Sequence, residues 1–148
     1  PSELTQLNEA LAAGRRARVS PEMADLLIEA QRYARQSDAL FDPGIGRLIE
    51  LWGFHADSYA AQLPDPKAIK AWLKTHPSIL QLQVDKTADG AWVSSSNRQV
   101  ALDFGGSLKG KALDRAAEIL HAAGVRNALI NIGGNVMALG MRACVPMC

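Results

Sequence analysis

Hydrophobic residues in the first part of the chain recur at the spacing of amphipathic helices. Ser2 and Ser20 each stand where a hydroxyl can cap a first helical turn, and Pro21 and Glu22 suit the turn after Ser20. The pattern predicts a short helix that ends at Gly14 and a longer one after Ser20. The apolar face of the longer helix, which we expect in the core, comprises Met23, Leu26, Leu27, Ala30, Tyr33 and Ala34.

Turn-forming residues follow the second predicted helix. The first half of Leu40–Phe54 is rich in turn formers, namely Asp42, Pro43, Gly44 and Gly46, and its second half has the apolar spacing of a short helix. Asp65 and Pro66 then mark the start of another helix, which should end before Pro77.

The hydrophobic period changes in the second half of the chain. ILQLQV, at Ile79–Val84, alternates apolar and polar residues as a half-buried strand does. The turn signal at Asp89 and Gly90 leads into a partner strand, and RQVALDF, at Arg98–Phe104, is expected to form a third.

A helix and a further strand complete the predicted pattern. The helix covers Lys109–Ala123 and ends at Gly124, and RNALINI then forms a strand up to Gly133. Strand, glycine turn, helix, strand and glycine turn across Arg98–Gly134 predict a β-α-β unit, in which parallel strands would bring both glycine turns to one edge. We therefore expect an α+β fold, with helices in the first half and a mixed sheet with a β-α-β unit in the second. The apolar side of this helix comprises Ala112, Leu113, Ala116, Ala117, Leu120 and Ala123.

Composition and charge narrow the functional classes. The 148 residues are 48% hydrophobic and 21% charged, as in one globular domain. The net charge of +1, from 16 basic and 15 acidic side chains, gives no electrostatic footprint for nucleic acid or for an anionic membrane. No apolar run approaches the roughly 18 residues that span a bilayer.

Cysteine and histidine give no expected site. Cys144 and Cys148 both lie in the last five residues, which excludes a disulfide framework. His55, His76 and His121 lack the spacing of metal ligands.

The stretch Gly105–Lys111 fits G-x-x-x-x-G-K, the core of a phosphate-binding P-loop. Unpaired N–H groups at a helix start favour an anion, and Lys109 and Lys111 add positive charge. However, Ala112 stands where a P-loop has the Ser or Thr that holds magnesium. Three interpretations stay open at this point: a P-loop for ATP, glycines that only form a tight turn, and an anion or nucleotide site of another design.

Four stretches of the chain resemble motifs of one family, in the same order. LDFGGSLKGKALDRAAEIL, from Leu102, is similar to L-D-L-G-G-I-A-K-G-Y-A-V-D followed by an Ala-rich helix. RNALINIGGNVMALG, from Arg126, is similar to N-A-L-V-N-I-G-G-D-I-x-A-x-G. FDPGIGRLIELWGF, from Phe41, resembles F-D-P-T-V-G-P-L-V-x-L-W-G-F, and PSELTQLN, from Pro1, resembles P-x-S-E-L-S-x-L-N. The chain thus resembles the ApbE family, the FAD:protein FMN transferases, from its start to Gly140.

This resemblance implies an enzyme that acts on FAD with the help of Mg²⁺. It would cleave the pyrophosphate of FAD, transfer FMN to a Thr or Ser hydroxyl of a target flavoprotein, and release AMP. A metal ion and a lysine suit this chemistry because charge builds up on phosphoryl oxygens. Two related functions stay open: a flavin-binding or accessory module for redox-protein maturation without transfer, and an FAD pyrophosphatase in which water replaces the hydroxyl.

The resemblance also implies site residues. Asp103 and Lys109 would contact FAD, although Asp103 could instead cap the next helix and Lys109 could be a solvated surface lysine. The backbone carbonyl of Gly106 would bind magnesium, and Gly133 and Gly134 would let a ligand approach the backbone. The residues that would line the flavin site are Leu40, Phe41 and Asp42.

Two further positions, Asp114 and Asn135, lie within these motifs. Asp114 matches the family's aspartate after the K-G pair, and it would either support the site from behind or be structural. Asn135 stands where the family often has aspartate, so the charge expected there is missing.

The end of the chain departs from the family. Its members continue for well over a hundred residues past the I-G-G motif, with an H-x-x-D-P-x-x-G segment and the Asp and Thr side chains that complete the magnesium site. We therefore expect residues 1–140 to form a partial FAD-binding domain of a larger, T-fold-like fold. Residues 141–148 would be a non-matching tail from a frame shift, a premature end or a cloning artefact. The chain alone should then be inactive or nearly so.

The expected location rests on the resemblance alone. Family members are often exported, commonly as lipoproteins. The chain would then be periplasmic or an inner-membrane lipoprotein, and it would reach the membrane only through an N-terminal anchor before Pro1.

Overall fold

The computed structural model of the protein describes residues 1–54 and 63–140. The helices in these ranges are α1 (Glu3–Ala12), α2 (Pro21–Gln36), α3 (Gly46–Leu51), α4 (Pro66–Leu73) and α5 (Leu108–Ala122). The strands are β1 (Ala17–Val19), β2 (Leu82–Thr87), β3 (Gly90–Ser95), β4 (Ala128–Ile132) and β5 (Asn135–Leu139). The expected α+β class is confirmed. The chain divides into two compact units, a first one up to Asp103 and a second one from Phe104.

The helix starts in the first unit follow the predicted caps. Ser2 Oγ accepts a hydrogen bond from the Thr5 N–H and Ser20 Oγ accepts one from the Met23 N–H, each at 3.2 Å. Gly14 ends the first helical region with a φ of 68°. Because the caps satisfy N–H groups that a helix leaves unpaired, both helices begin where the sequence predicts.

The buried face of α2 agrees only in part with the prediction, since Met23 and Leu26 are half-buried and Ala24 is buried in addition. Tyr33, expected in the core, is 43% exposed, and its ring meets Phe41 edge-on with centroids 6.3 Å apart. Gln31 is buried instead, and its Nε2 donates to the carbonyls of Ile79 (3.1 Å) and Leu82 (2.8 Å). These hydrogen bonds explain how an amide can lie in the core.

The first unit contains a three-stranded antiparallel sheet in the order β1-β3-β2. The predicted hairpin is confirmed, with Thr87 paired to Gly90 at its turn. The strand expected over Ile79–Val84 begins only at Leu82, because Ser78 caps a 3₁₀ turn over the three residues before it. Arg18 of β1 donates to the Asp89 carboxylate in the β2–β3 hairpin turn, which lowers the pKa of that carboxyl.

The strand expected over Arg98–Phe104 is wrong. In this stretch, Ala101 forms one isolated parallel bridge, to Ile45. The neighbouring backbone groups pair elsewhere: the Leu102 N–H and carbonyl bond the Asn8 side chain, and the Asp103 N–H donates to the Pro43 carbonyl. The segment that ends at Asp103 is therefore extended, but the Asn8 side chain and the loop at Pro43 hold it in place of neighbouring strands.

The second unit packs α5 against the β4–β5 hairpin. The helix confirms the prediction for Lys109–Ala123 within one residue, and Leu113 of its apolar side is buried. β4 is also confirmed, but it pairs antiparallel with β5, which the sequence analysis did not predict. Among the described residues β4 has no parallel partner, so the expected β-α-β unit is wrong.

Across residues 1–54 and 63–140, no helix combines the length and the apolar character needed to cross a bilayer. The expectations for His55, for both cysteines and for the 141–148 tail lie outside the described residues.

Candidate functional site

The glycine turn leads directly into α5. The N–H groups of Ser107 and Leu108 both donate to the Phe104 carbonyl at 2.9 Å, which closes the turn before the helix. Gly105 and Gly106 are exposed, and a side chain added at Gly106 would meet no heavy atom within 4 Å. The predicted anion site is therefore an open helix start.

Lys109 reaches from the first turn of α5 to the β4–β5 turn. That turn consists of Gly133 and Gly134, whose φ angles of 56° and 91° favour glycine. A Cβ built on Gly133 would lie 3.2 Å from Lys109 Cε and 3.6 Å from Lys109 Nζ. The structure therefore brings together three of the predicted site residues, from two separate motifs.

Asp114 lies on another face of α5. It lies five positions after Lys109, which corresponds to about 140° around a helix. Its side chain is exposed. The geometry thus separates Asp114 from the lysine that borders the glycine turn.

The predicted flavin-lining segment forms part of the first unit. Leu40 is 92% exposed and Phe41 is half-buried against Tyr33. Asp42 Oδ1 accepts hydrogen bonds from the N–H groups of Gly44 (2.8 Å) and Ile79 (2.9 Å). Asp42 therefore has a structural role, because its carboxylate fixes the loop that follows it to the start of the 3₁₀ turn.

Asp103 is half-buried beside a cleft of about 390 Å³ in the first unit. α1 contributes Asn8 and Glu9 to this cleft, and α3 contributes Arg47 and Glu50. The Asp103 N–H donates to the Pro43 carbonyl at 2.9 Å, which ties Asp103 to the loop fixed by Asp42. Asp103 is thus hydrogen-bonded to Pro43, the residue directly after Asp42, so the two predicted site residues Asp42 and Asp103 lie close together in the first unit.

The described residues do not make up a magnesium centre by themselves. Magnesium prefers six oxygen ligands in near-ideal octahedral geometry. No group of three or more His, Cys, Asp or Glu side chains in the described ranges is arranged to share an ion. The exposed Gly106 carbonyl would supply one oxygen, so the residues present do not fit a complete metal site.

Asn8 is a residue whose part in the site the sequence analysis missed. It bonds both backbone groups of Leu102, directly before Asp103. Its sequence signal is weak: asparagine is unfavourable inside a helix unless its side chain has a partner elsewhere.

The geometry also bears on the P-loop interpretation. A P-loop joins a strand of a parallel sheet to a helix. Here the residues before Gly105 form an extended segment with one bridge, and β4 pairs antiparallel with β5. The described residues therefore lack the context that a P-loop needs.

Comparison with known proteins decides the family. The ApbE family model matches residues 1–146. The chain belongs to the ApbE family. A curated ApbE relative, the FAD:protein FMN transferase of Rhodobacter capsulatus, is 42% identical over 146 residues, which cover 99% of this chain and 27% of the relative. The enzyme of the same name from Haemophilus influenzae is 28% identical over 142 residues, covering 94% of this chain and 40% of the relative.

Solved ApbE structures share the fold. The ApbE protein of Thermotoga maritima superposes with a TM-score of 0.80 at 29% identity, covering 95% of this chain and 44% of that protein. The apo flavinyl transferase ApbE of Pseudomonas stutzeri superposes with a TM-score of 0.76 at 26% identity, covering 94% and 42%. The family resemblance seen in the sequence is confirmed, and the chain spans less than half the length of these ApbE proteins.

Proposed function

We propose that this chain carries the FAD-binding part of an FAD:protein FMN transferase. The observation that carries the proposal is the Lys109 side chain against the Gly133 turn, since a lysine beside a glycine turn suits a pyrophosphate. The names of the curated relatives support the same substrate. Asp103, Leu40 and Phe41 are proposed as further FAD contacts.

The proposed reaction is a phosphoryl-type transfer. The hydroxyl oxygen of a Thr or Ser on the target flavoprotein forms a bond to the phosphorus of the FMN half. The bond from that phosphorus to the bridging oxygen breaks, AMP leaves with this oxygen, and the hydroxyl proton passes to solvent. Lys109 would bind the pyrophosphate oxygens and stabilise their developing negative charge.

The magnesium requirement is a separate part of the proposal. It rests on the family resemblance and on the Gly106 carbonyl as a ligand. Because the described residues offer an incomplete ligand set, we propose that the 148-residue chain binds FAD but releases little or no AMP by itself.

The incomplete ligand set also favours a second candidate function. A protein that holds FAD without metal-assisted cleavage would act as a flavin-binding or accessory module in redox-protein maturation. For location, we propose the periplasm or the inner membrane, on the family resemblance alone.

The test combines FAD binding with product analysis. The purified chain is titrated with FAD by flavin fluorescence, with Mg²⁺ and with a chelator, and ATP serves as the competitor. AMP release and the fate of FMN are then measured with a flavoprotein acceptor present. Binding of FAD without AMP release is the expected result. AMP release with FMN bound to the acceptor protein would show that this chain is a transferase by itself. AMP release with free FMN would indicate a pyrophosphatase. Binding of ATP but not FAD would contradict the proposal.

A further inference from the structure

The Asn8 side chain forms two hydrogen bonds with the backbone of Leu102. Its Oδ1 accepts a hydrogen bond from the Leu102 N–H at 2.8 Å, and its Nδ2 donates to the Leu102 carbonyl at 2.9 Å. An amide side chain offers a donor and an acceptor, as a peptide group does. One side chain of α1 therefore pairs with a residue 94 positions away as a neighbouring strand would.

The other side of the same segment is held by the loop before α3. The Gly46 N–H donates to the Ala101 carbonyl at 2.7 Å, and the Asp103 N–H donates to the Pro43 carbonyl at 2.9 Å. A Cβ on Gly46 would lie 2.8 Å from the Ala101 oxygen, so this approach requires glycine. Ala101 and Asp103 thus bond the loop, while Leu102 between them bonds Asn8.

The hydrogen bonds of Leu102 to Asn8, which we call the clamp, set the register of the segment that ends at Asp103. Leu102 is only 2% exposed, so its N–H and carbonyl would lose partners in a buried place if Asn8 were removed. A slip by one residue would also turn Leu102 outward and Asp103 inward. The position of the Asp103 carboxylate therefore depends on a residue that the sequence pattern did not single out.

We propose that Asn8 is a positioning residue of the FAD site, which acts by fixing Leu102 and so placing the Asp103 carboxylate. The clamp stands on geometry alone. Its link to FAD rests on the proposed function.

Amide hydrogen exchange, followed by NMR on the whole chain, tests the clamp. In Asn8→Ala, the amides of Leu102 and Asp103 should exchange about tenfold faster, while the β2–β3 ladder keeps its protection. The matched control is Glu9→Ala, an exposed neighbour beside the same cleft, which should leave both amides unchanged. Unchanged exchange at Leu102 and Asp103 in Asn8→Ala would overturn the clamp. A uniform loss across the ladder would show a merely structural role.

Asn8→Leu is the second variant, for the case that Asn8→Ala does not fold. It keeps the size of the side chain but neither accepts from the Leu102 N–H nor donates to the Leu102 carbonyl, so the same two amides should exchange faster. Wild-type protection at both would overturn the proposal.

FAD titration then tests the link to the ligand. Asn8→Ala should weaken FAD binding about as much as Asp103→Ala. The double variant should bind no more weakly than either single variant, because both changes remove the same contact between Asp103 and FAD. Additive losses would contradict positioning through Asp103. If the wild-type chain does not bind FAD, the proposed function fails together with the link, whereas the exchange result still decides the clamp.

Discussion

Lys109 and Lys111 stand two residues apart at the start of α5, and the two interpretations of the motif assign the important charge differently. A P-loop would depend on Lys111, the lysine of G-x-x-x-x-G-K. The structure gives Lys109 the place against the Gly133 turn. The P-loop motif and the ApbE motif can therefore be distinguished by comparing Lys111 with Lys109.

Replacing each lysine separates the two interpretations. Lys109→Ala should weaken FAD binding roughly tenfold, the effect of losing a charged hydrogen bond to a phosphate oxygen. Lys111→Ala is the matched control and should have a much smaller effect. Fluorescence titration gives both affinities, and a larger loss in Lys111→Ala would favour the P-loop motif.

Gly133 and Gly134 allow a similar comparison within one turn. Both have positive φ angles, so alanine at either position should destabilise the fold by about 1–2 kcal/mol in a denaturant titration. A Cβ at Gly133 would also displace Lys109, whereas one at Gly134 meets no heavy atom within 4 Å. Gly133→Ala should therefore weaken FAD binding more than Gly134→Ala, and equal losses would show that the Lys109 contact is unimportant.

Substitutions at Asp42 and Leu40 should affect different properties, stability in the first case and FAD binding in the second. Asp42→Ala removes the acceptor of two backbone N–H groups and should lower the free energy of unfolding by about 2 kcal/mol. Leu40→Ala changes a side chain that is 92% exposed, so it should leave stability unchanged and weaken FAD binding if Leu40 lines the flavin site. Urea titration and FAD titration of both variants test this, and unchanged stability in Asp42→Ala would refute the structural role.

At the scale of elements, the sequence predicts what local chemistry determines. Ser2 and Ser20 fix helix starts, and Gly14 and Gly124 follow helix ends, with φ angles of 68° and 80°. The three-residue strand β1 has no comparable signal, because so short a segment shows no period. β5 is not evident from the sequence, because Gly133 and Gly134 suit a ligand turn as well as the turn of a hairpin.

The segment Val100–Asp103 shows why periodicity alone fails. The sequence predicts a strand here, and Val100, Ala101 and Leu102 are all buried. Whether a ladder forms depends on its partners, and these are the Asn8 side chain and the Pro43–Gly46 loop. Such long-range partners cannot be inferred from local spacing.

The loop side of this segment gives a prediction of its own. Gly46→Ala would place a Cβ 2.8 Å from the Ala101 oxygen, so the bridge must shift, at a cost of about 1–3 kcal/mol in unfolding free energy. Gly110→Ala is the control, because Gly110 lies in α5 with open space around it and should gain about 0.5 kcal/mol of stability. Denaturant titration measures both, and a neutral Gly46→Ala would contradict the close approach.

At the scale of the whole molecule, the chain has two compact units, and predicted site residues occur in both. Lys109, Gly133 and Gly134 come together in the second unit, and Asp42 and Asp103 are linked in the first. The chain covers 27% of its Rhodobacter capsulatus relative and 44% of the Thermotoga maritima structure. FAD binding and FAD cleavage should therefore be measured separately on this chain.

The most direct test is an NMR titration of the isotope-labelled chain with FAD, which reports each backbone amide. The account predicts that shifts concentrate at Gly106, Lys109, Gly133 and Gly134, with a second group around Leu40 and Asp103. ATP at the same concentration should perturb these amides less. If FAD leaves the Lys109 and Gly133 amides unchanged, or if ATP shifts them more strongly, the account of an FAD site at this turn is contradicted.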